Sequence, residues 1–255
     1  MPTALVTGAT AGLGAEFARQ LAADGYDLVL VARDTDRLEQ IGDELTRLHG
    51  RKVKLIGADL TTEEGCTAVA ERIEQRDEPV DVLVNNAGFG MYKVFGSAAI
   101  ADEERQLDLN VRAVLRLSHA AVRVMTARSS GRIVNVSSVS AFVPRGSNAT
   151  YAASKAWVTM FSEALSVQLT GSGVTVTAIC PGFTRTEFHE RADADMSHVP
   201  DRMWLGAADV VREGLADAFA GKPVSIPTRQ YRRLVLLARV VPRPLLRRVM
   251  ARRNF

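Results

Sequence analysis

Cysteine is almost missing from this sequence: Cys66 and Cys180 are the two present in 255 residues. Two thiols exclude a disulfide scaffold and any cysteine-rich zinc module, and a reducing, cytoplasmic setting fits them. Histidine is scarce as well. His49, His119, His189 and His198 match no metal-ligand spacing, so no metal site is expected. His189 and His198 are read as solvent-facing in preference to contacting a substrate. No apolar run reaches the roughly 18 residues that a membrane-spanning helix needs. Met1-Pro2-Thr3 runs straight into a strand pattern, without the basic and apolar stretches of a secretory leader. Acidic residues stop before the C-terminus: from Arg229 to Phe255 there are nine arginines, no lysine and no acid. The first 228 residues then hold 23 basic against 29 acidic side chains, which disfavours generic nucleic-acid binding by the body of the chain.

What is present is an ordinary globular mix, 47% hydrophobic and 24% charged, at a length suited to one α/β domain. Short apolar runs alternate with amphipathic segments of helical length. Strands are expected near 4–6, 27–32, 53–58, 80–85, 132–137 and 174–180. Helices are expected near 15–23, 35–48, 63–75, 102–128 and 151–169. Continuous apolar strands are buried on both faces, as in parallel sheets. Repeated alternation predicts a doubly wound parallel sheet of Rossmann type with ligands at the carboxyl ends of its strands. Residues 1–228 are read as the dinucleotide-binding catalytic domain, and 229–255 as an arginine-rich apolar extension.

The first strand runs into Thr7-Gly8-Ala9-Thr10-Ala11-Gly12-Leu13-Gly14. Glycines at 8, 12 and 14 permit a tight turn, a close backbone approach to phosphate and close packing of the next helix. The helix that follows presents N–H groups and a positive dipole end to a pyrophosphate. Tyr151 and Lys155 are four apart, so a helix places both on one face. An ammonium about 4 Å from a phenol, at an effective dielectric of about 20, favours the phenolate by roughly 4 kcal/mol. That lowers a phenol from about 10 toward the range useful for proton transfer.

With TGxxxGxG at the N-terminus the chain resembles the classical short-chain dehydrogenases/reductases, loosely their 3-oxoacyl and hydroxysteroid branches. The resemblance recurs at Asp59-Leu60, Asn85-Asn86-Ala87-Gly88, Asn110, Ser138, Tyr151-xxx-Lys155 and Pro181-Gly182 with Thr184 and Thr186, covering about residues 3–227. It implies that Asp59 contacts the adenine amino group and that the Asn85 segment walls the adenine ring. It also implies that the segment after Pro181-Gly182 holds the nicotinamide carboxamide. Ser138 would bond the substrate oxygen, and Asn110 would hold a water bridging to Lys155. A homodimer or homotetramer is implied too.

The second strand ends at Ala32 with Arg33 next. An acid there would bind a ribose 2′-hydroxyl and repel a 2′-phosphate, whereas a guanidinium favours NADP(H). Pairing of Arg33 with Asp34 or Asp36 is the alternative. The function expected is an NADP(H)-dependent ketone/secondary-alcohol oxidoreductase with a lipophilic, fatty acyl or steroid-like substrate. The rival functions are a non-catalytic NADP-sensing protein and a membrane-peripheral scaffold. Trp157, Phe161, Leu165 and Gln168 form one helical stripe, either core or subunit seam. The tail reads as two short helices broken at Pro242 and Pro244. It either packs as a pocket wall or seam, or lies on an anionic membrane. With Tyr231 and Phe255 as its aromatics, nucleic acid is the least supported partner.

Overall fold

The apolar runs become strands whose two faces are both covered. The computed structural model describes residues 1–252 apart from 145, 147, 193 and 198, with Arg252 by its backbone alone. His198 therefore lies outside the described residues. Seven strands are described: β1 (Thr3–Thr7), β2 (Asp27–Ala32), β3 (Val53–Gly57), β4 (Val82–Asn85), β5 (Gly131–Val136), β6 (Val174–Ile179) and β7 (Val224–Ser225). All pair in parallel, in the order β3-β2-β1-β4-β5-β6-β7. The Rossmann-type doubly wound fold is the observed one.

Alternation within β2 shows how the layers form. Leu28 and Leu30 face a core shared with Phe17, Leu21 and Val211, under α1 (Gly12–Ala23), α2 (Thr35–His49) and α8 (Ala207–Phe219). Val29 and Val31 face the other core, with Val69, Leu117 and Ile133, under α3 (Glu63–Glu74), α5 (Val114–Ala127) and α6 (Ala149–Gln168). Local chemistry sets several helix ends. The Asp34 carboxylate accepts from the Arg37 N–H at 3.0 Å to start α2, and Gly50, at φ 63°, ends it.

The structure departs from the expected elements at four places. Strand β3, with partly exposed side chains, is an edge strand: among the described residues nothing pairs beyond it. The helix expected over 102–128 is three pieces: α4 (Ile100–Leu107), a π-helical turn over Asp108–Ala113, and α5. Helix α8 and strand β7 have no counterpart in the sequence reading. A short helix α7 (Phe188–Arg191) lies in the segment after Thr186. The tail forms α9 (Arg229–Val240) and α10 (Arg243–Arg252), interrupted at Pro242. Among the described residues no helix is long and apolar enough to cross a membrane.

Candidate active site

The chain leaves β1 toward β2 and β3 and returns to pair β4 on the other side of β1. A crevice opens at such a switch point, beyond the carboxyl ends of the strands. Here it is a cleft of about 880 Å³. Its floor begins with the glycine turn. Gly8 and Gly12 take φ values of 65° and 53°, the left-handed region that favours glycine. Ala11, the residue before α1, supplies no side-chain acceptor, so the first N–H groups of the helix remain for an anion. Gly14 is behind the turn and outside the cleft lining; a Cβ there would collide with the Gly8 carbonyl. Asn86 fixes the turn from the neighbouring strand, its Nδ2 donating to the carbonyls of Thr7 (2.8 Å) and Gly8 (3.2 Å).

Of the expected site residues, Gly8, Thr10, Gly12, Leu13, Arg33, Asp59, Leu60, Asn86, Ala87, Gly88, Ser138, Tyr151, Lys155, Pro181, Gly182, Thr184 and Thr186 all line this one cleft. Asn85 does not. Its side chain turns beneath the sheet, where Nδ2 donates to Asn135 Oδ1 (2.9 Å) and Ser118 Oγ (3.1 Å). Thr184 lines the wall, but its hydroxyl donates to the Gly182 carbonyl at 3.0 Å. Thr186 packs against Gly12, so its segment crosses the glycine turn.

Tyr151 and Lys155 sit one turn apart on α6, both buried, with Lys155 Nζ 5.6 Å from the phenol ring centroid. The Lys155 ammonium donates to the Val136 carbonyl at 2.9 Å. Burial pushes its pKa down from 10.5 to about 8. Near neutrality the ammonium expected beside Tyr151 is therefore still the main form, with its loss beginning close above. Ser138 follows the end of β5, and its Oγ accepts from the Ser140 N–H at 3.1 Å.

Asn110 lies in the π-helical turn, fully buried and outside the cleft lining. Its Nδ2 donates to the Phe89 carbonyl (2.9 Å) and Ser154 Oγ (3.3 Å), and Oδ1 accepts from the Phe89 N–H (3.1 Å). A Cβ on Gly88 would lie 2.9 Å from Asn110 Oδ1 and 3.4 Å from Lys155 Nζ. The missing side chain of Gly88 is what leaves these two polar atoms a shared space.

At the other end of the cleft, the Asp59 carboxylate accepts from the Thr61 N–H (2.9 Å) and hydroxyl (2.8 Å). Arg33 stands 3.9 Å and Arg105 3.7 Å from it. Burial opposes the charged carboxylate, but the two Thr61 bonds and then the arginines outweigh it and hold the pKa below the ordinary value. The ion partner of Arg33 is thus Asp59, and neither Asp34 nor Asp36 pairs with it. Arg105 was not anticipated; it sits on α4, which carries no recognisable motif.

Aromatic side chains wall the end of the cleft that holds Tyr151. Phe188 tilts against the Tyr151 ring with centroids 5.8 Å apart. His189 Nδ1 is 3.2 Å from the Tyr92 hydroxyl, and its ring packs against Phe183, Phe188 and Trp204. The solvent-facing reading of His189 is corrected in part: it is half-buried on the cleft lining and packs against rings from three separate segments. Glu187 carries a bidentate ion pair from Arg37 and a second bond from Arg191 at 2.6 Å. The Arg37 bond first, with Arg191 in support, lowers the Glu187 pKa to about 2 despite some burial. This pair ties the segment after Thr186 to α2 across the cleft. Tyr231 of α9 closes the base of the same segment, so the tail packs on the fold at this point.

Residues 2–197 match the family model for short chain dehydrogenases. The chain is 35% identical over 209 residues to nodulation protein G of Rhizobium meliloti, covering 80% of this chain and 84% of that one. A short-chain dehydrogenase from Sphingobium yanoikuyae, solved in complex with NADPH, superposes with a TM-score of 0.86 at 34% identity, covering 93% of this chain and 92% of that one. A bulky-bulky ketone specific alcohol dehydrogenase from Comamonas testosteroni gives 0.81 at 30%, with 94% and 92% covered.

Proposed function

This chain belongs to the short-chain dehydrogenase family, and on that premise we propose that it is an NADP(H)-dependent oxidoreductase interconverting a ketone and a secondary alcohol on a lipophilic substrate, fatty acyl or steroid-like. The observation that carries the reading is the pairing of buried Tyr151 and Lys155 on the cleft beneath an aromatic wall.

In reduction Tyr151 gives its phenolic proton to the carbonyl oxygen; in oxidation its phenolate takes the proton from the alcohol. The Lys155 ammonium favours the phenolate, and its bond to the Val136 carbonyl fixes where that charge sits. The Ser138 hydroxyl orients the substrate oxygen. Asn110 clamps both backbone groups of Phe89 and leaves its Oδ1 facing the space above Gly88, where a water would relay protons to Lys155. The glycine turn, Asn86, Ala87, Gly88 and the Pro181–Thr186 segment would hold the dinucleotide, whose nicotinamide supplies or accepts the hydride when bound. The cradle fits such a group: glycines leave its floor open and a helix start faces it without a side-chain cap.

Support for NADP(H) comes from Ala32 in the place of an acid, from exposed Arg33 with Arg105 nearby, and from the NADPH-bound relative. Support for a lipophilic substrate comes from the rings of Tyr92, Phe183 and Phe188 on the cleft lining, with Trp204 packed behind Phe183, and from the bulky-ketone relative. A cytoplasmic homodimer or homotetramer completes the proposal; Met160 and Val167 of α6 are exposed apolar side chains of the kind a subunit seam covers. A turnover panel pairing NADPH or NADH with bulky and small ketones tests it. Turnover should be faster with NADPH and with bulky ketones. A preference for NADH, or for small polar carbonyls alone, overturns the corresponding part.

A further inference from the structure

Helices α9 and α10 turn only part of their apolar surface toward the domain. On α9, Tyr231, Val235 and Ala238 recur at helical spacing and face inward. The opposite stripe is Arg229, Arg233, Leu236 and Val240, with Leu236 63% and Val240 69% exposed. Leu237 beside it is also exposed. On α10, Leu246 is buried, whereas Leu245 and Val249, one turn apart, are exposed. Aliphatic side chains thus stand in water among arginines on both helices. Arg232 pairs with Glu213 at 3.1 Å and Arg239 lies over the Phe142 ring. Among the described residues Arg229, Arg233, Arg243, Arg247 and Arg248 take part in no ion pair.

We propose that the outer face of α9–α10 is a peripheral docking surface for an anionic lipid bilayer. The aliphatic side chains enter the headgroup boundary and the arginines meet lipid phosphates. Charge selects this occupant. A second copy of the same face would set arginines against arginines, with no acid from residue 229 onward to relieve them. A nucleic acid would meet the arginines but leave Leu236, Leu237 and Val240 with nothing to bury them, and the exposed stripe carries no aromatic ring for stacking. The helices need not span anything to bind in this way. They are also tied to the cleft: Tyr231 bonds the Phe183 N–H and the Met203 carbonyl on the segment that walls the catalytic end. Docking therefore brings the catalytic end close to the bilayer. The docking is independent of the proposed reaction, though a lipophilic substrate would profit from it.

Co-sedimentation of the full-length protein with vesicles tests this. Binding is expected to phosphatidylglycerol-containing vesicles at low salt, not to pure phosphatidylcholine, and should fade as salt rises. Each arginine near an anionic surface strengthens partitioning about fivefold, so R233A/R243A should weaken binding about 25-fold. L236E/V240E should reduce it at least about tenfold. Both variants change exposed side chains, so melting temperature should stay within about 2 °C of the parent. Absence of binding to anionic vesicles at low salt overturns the proposal. So does full retention of binding by L236E/V240E. A smaller particle for L236E/V240E in vesicle-free solution overturns it as well, by showing that another copy covers the face.

Discussion

The ring of Tyr231 occupies the space that any side chain at residue 182 would need: a Cβ built on Gly182 would collide with it. The Tyr231 hydroxyl accepts from the Phe183 N–H at 3.1 Å and donates to the Met203 carbonyl at 2.7 Å. One residue of the tail therefore satisfies two backbone groups of the segment that walls the Tyr151 end of the cleft. The glycine of Pro181-Gly182 is required here by close packing, since its φ is not in the left-handed region.

Removing this bond pair has a measurable cost. Tyr231→Phe keeps the ring and leaves a partly buried N–H and carbonyl without this partner, costing about 1–3 kcal/mol. At this chain length the melting temperature should fall by roughly 2–10 °C. Gly182→Ala should cost more, because the ring must move. A calorimetric scan in which Tyr231→Phe melts with the parent would show that these bonds do not hold the segment.

Tyr151→Phe removes the transferable proton and leaves the packing against Phe188 in place. Turnover should drop about 10² to 10⁴-fold while NADPH binding, followed by fluorescence, persists. A variant within tenfold of the parent on any active ketone takes Tyr151 out of the mechanism.

Arg33 and Arg105 flank Asp59 from two elements distant in sequence. If Arg33 bonds the 2′-phosphate, Arg33→Ala loses a charge-assisted bond of about 1.5–3 kcal/mol, and NADPH affinity falls roughly 10 to 150-fold. NADH affinity should barely change. Arg105→Ala should act in the same direction. Equal weakening of both cofactors in calorimetry would locate Arg33 elsewhere in the binding energy.

In the proposed mechanism the Lys155 ammonium is the useful form, and burial lowers its pKa to about 8. The rate constant kcat/KM for NADPH, which reports the free enzyme, should decline above about pH 8. Lys155→Arg should move that limb to higher pH. Stability runs the other way. The folded pKa lies below the unfolded 10.5, so the fold carries the full penalty of a buried charge below about pH 8. That penalty, of the order of 3 kcal/mol, is relieved as pH rises from 8 to 10.5. The unfolding free energy of the parent minus that of Lys155→Met should therefore increase across this window. A flat difference in urea titrations would mean that Lys155 is not desolvated.

Apolar runs, glycine spacing and the Tyr151–Lys155 interval are local properties, and they determined the sheet, the glycine turn and one face of α6 from the sequence alone. Arg33 after Ala32 was legible for the same reason: one position beyond a strand end has one place to be. Side-chain partners across the fold were not legible. Asp59 meets Arg33 and Arg105 through the packing of three separate segments. Asn110 reaches Phe89 because a π-helical turn interrupts an amphipathic helix whose spacing predicts no break. His189 looked solvent-facing until Tyr92, Phe183 and Trp204 were folded around it. In the tail the composition announced basic, apolar helices, but it did not say which of their faces packs on the domain. Tertiary contact at Gly182 decided that Tyr231 and Val235 turn inward and that Leu236 and Val240 stay among the arginines. Helical periodicity ranks faces by composition, whereas the buried face is the one that finds a complementary surface, and that surface lies almost fifty residues upstream.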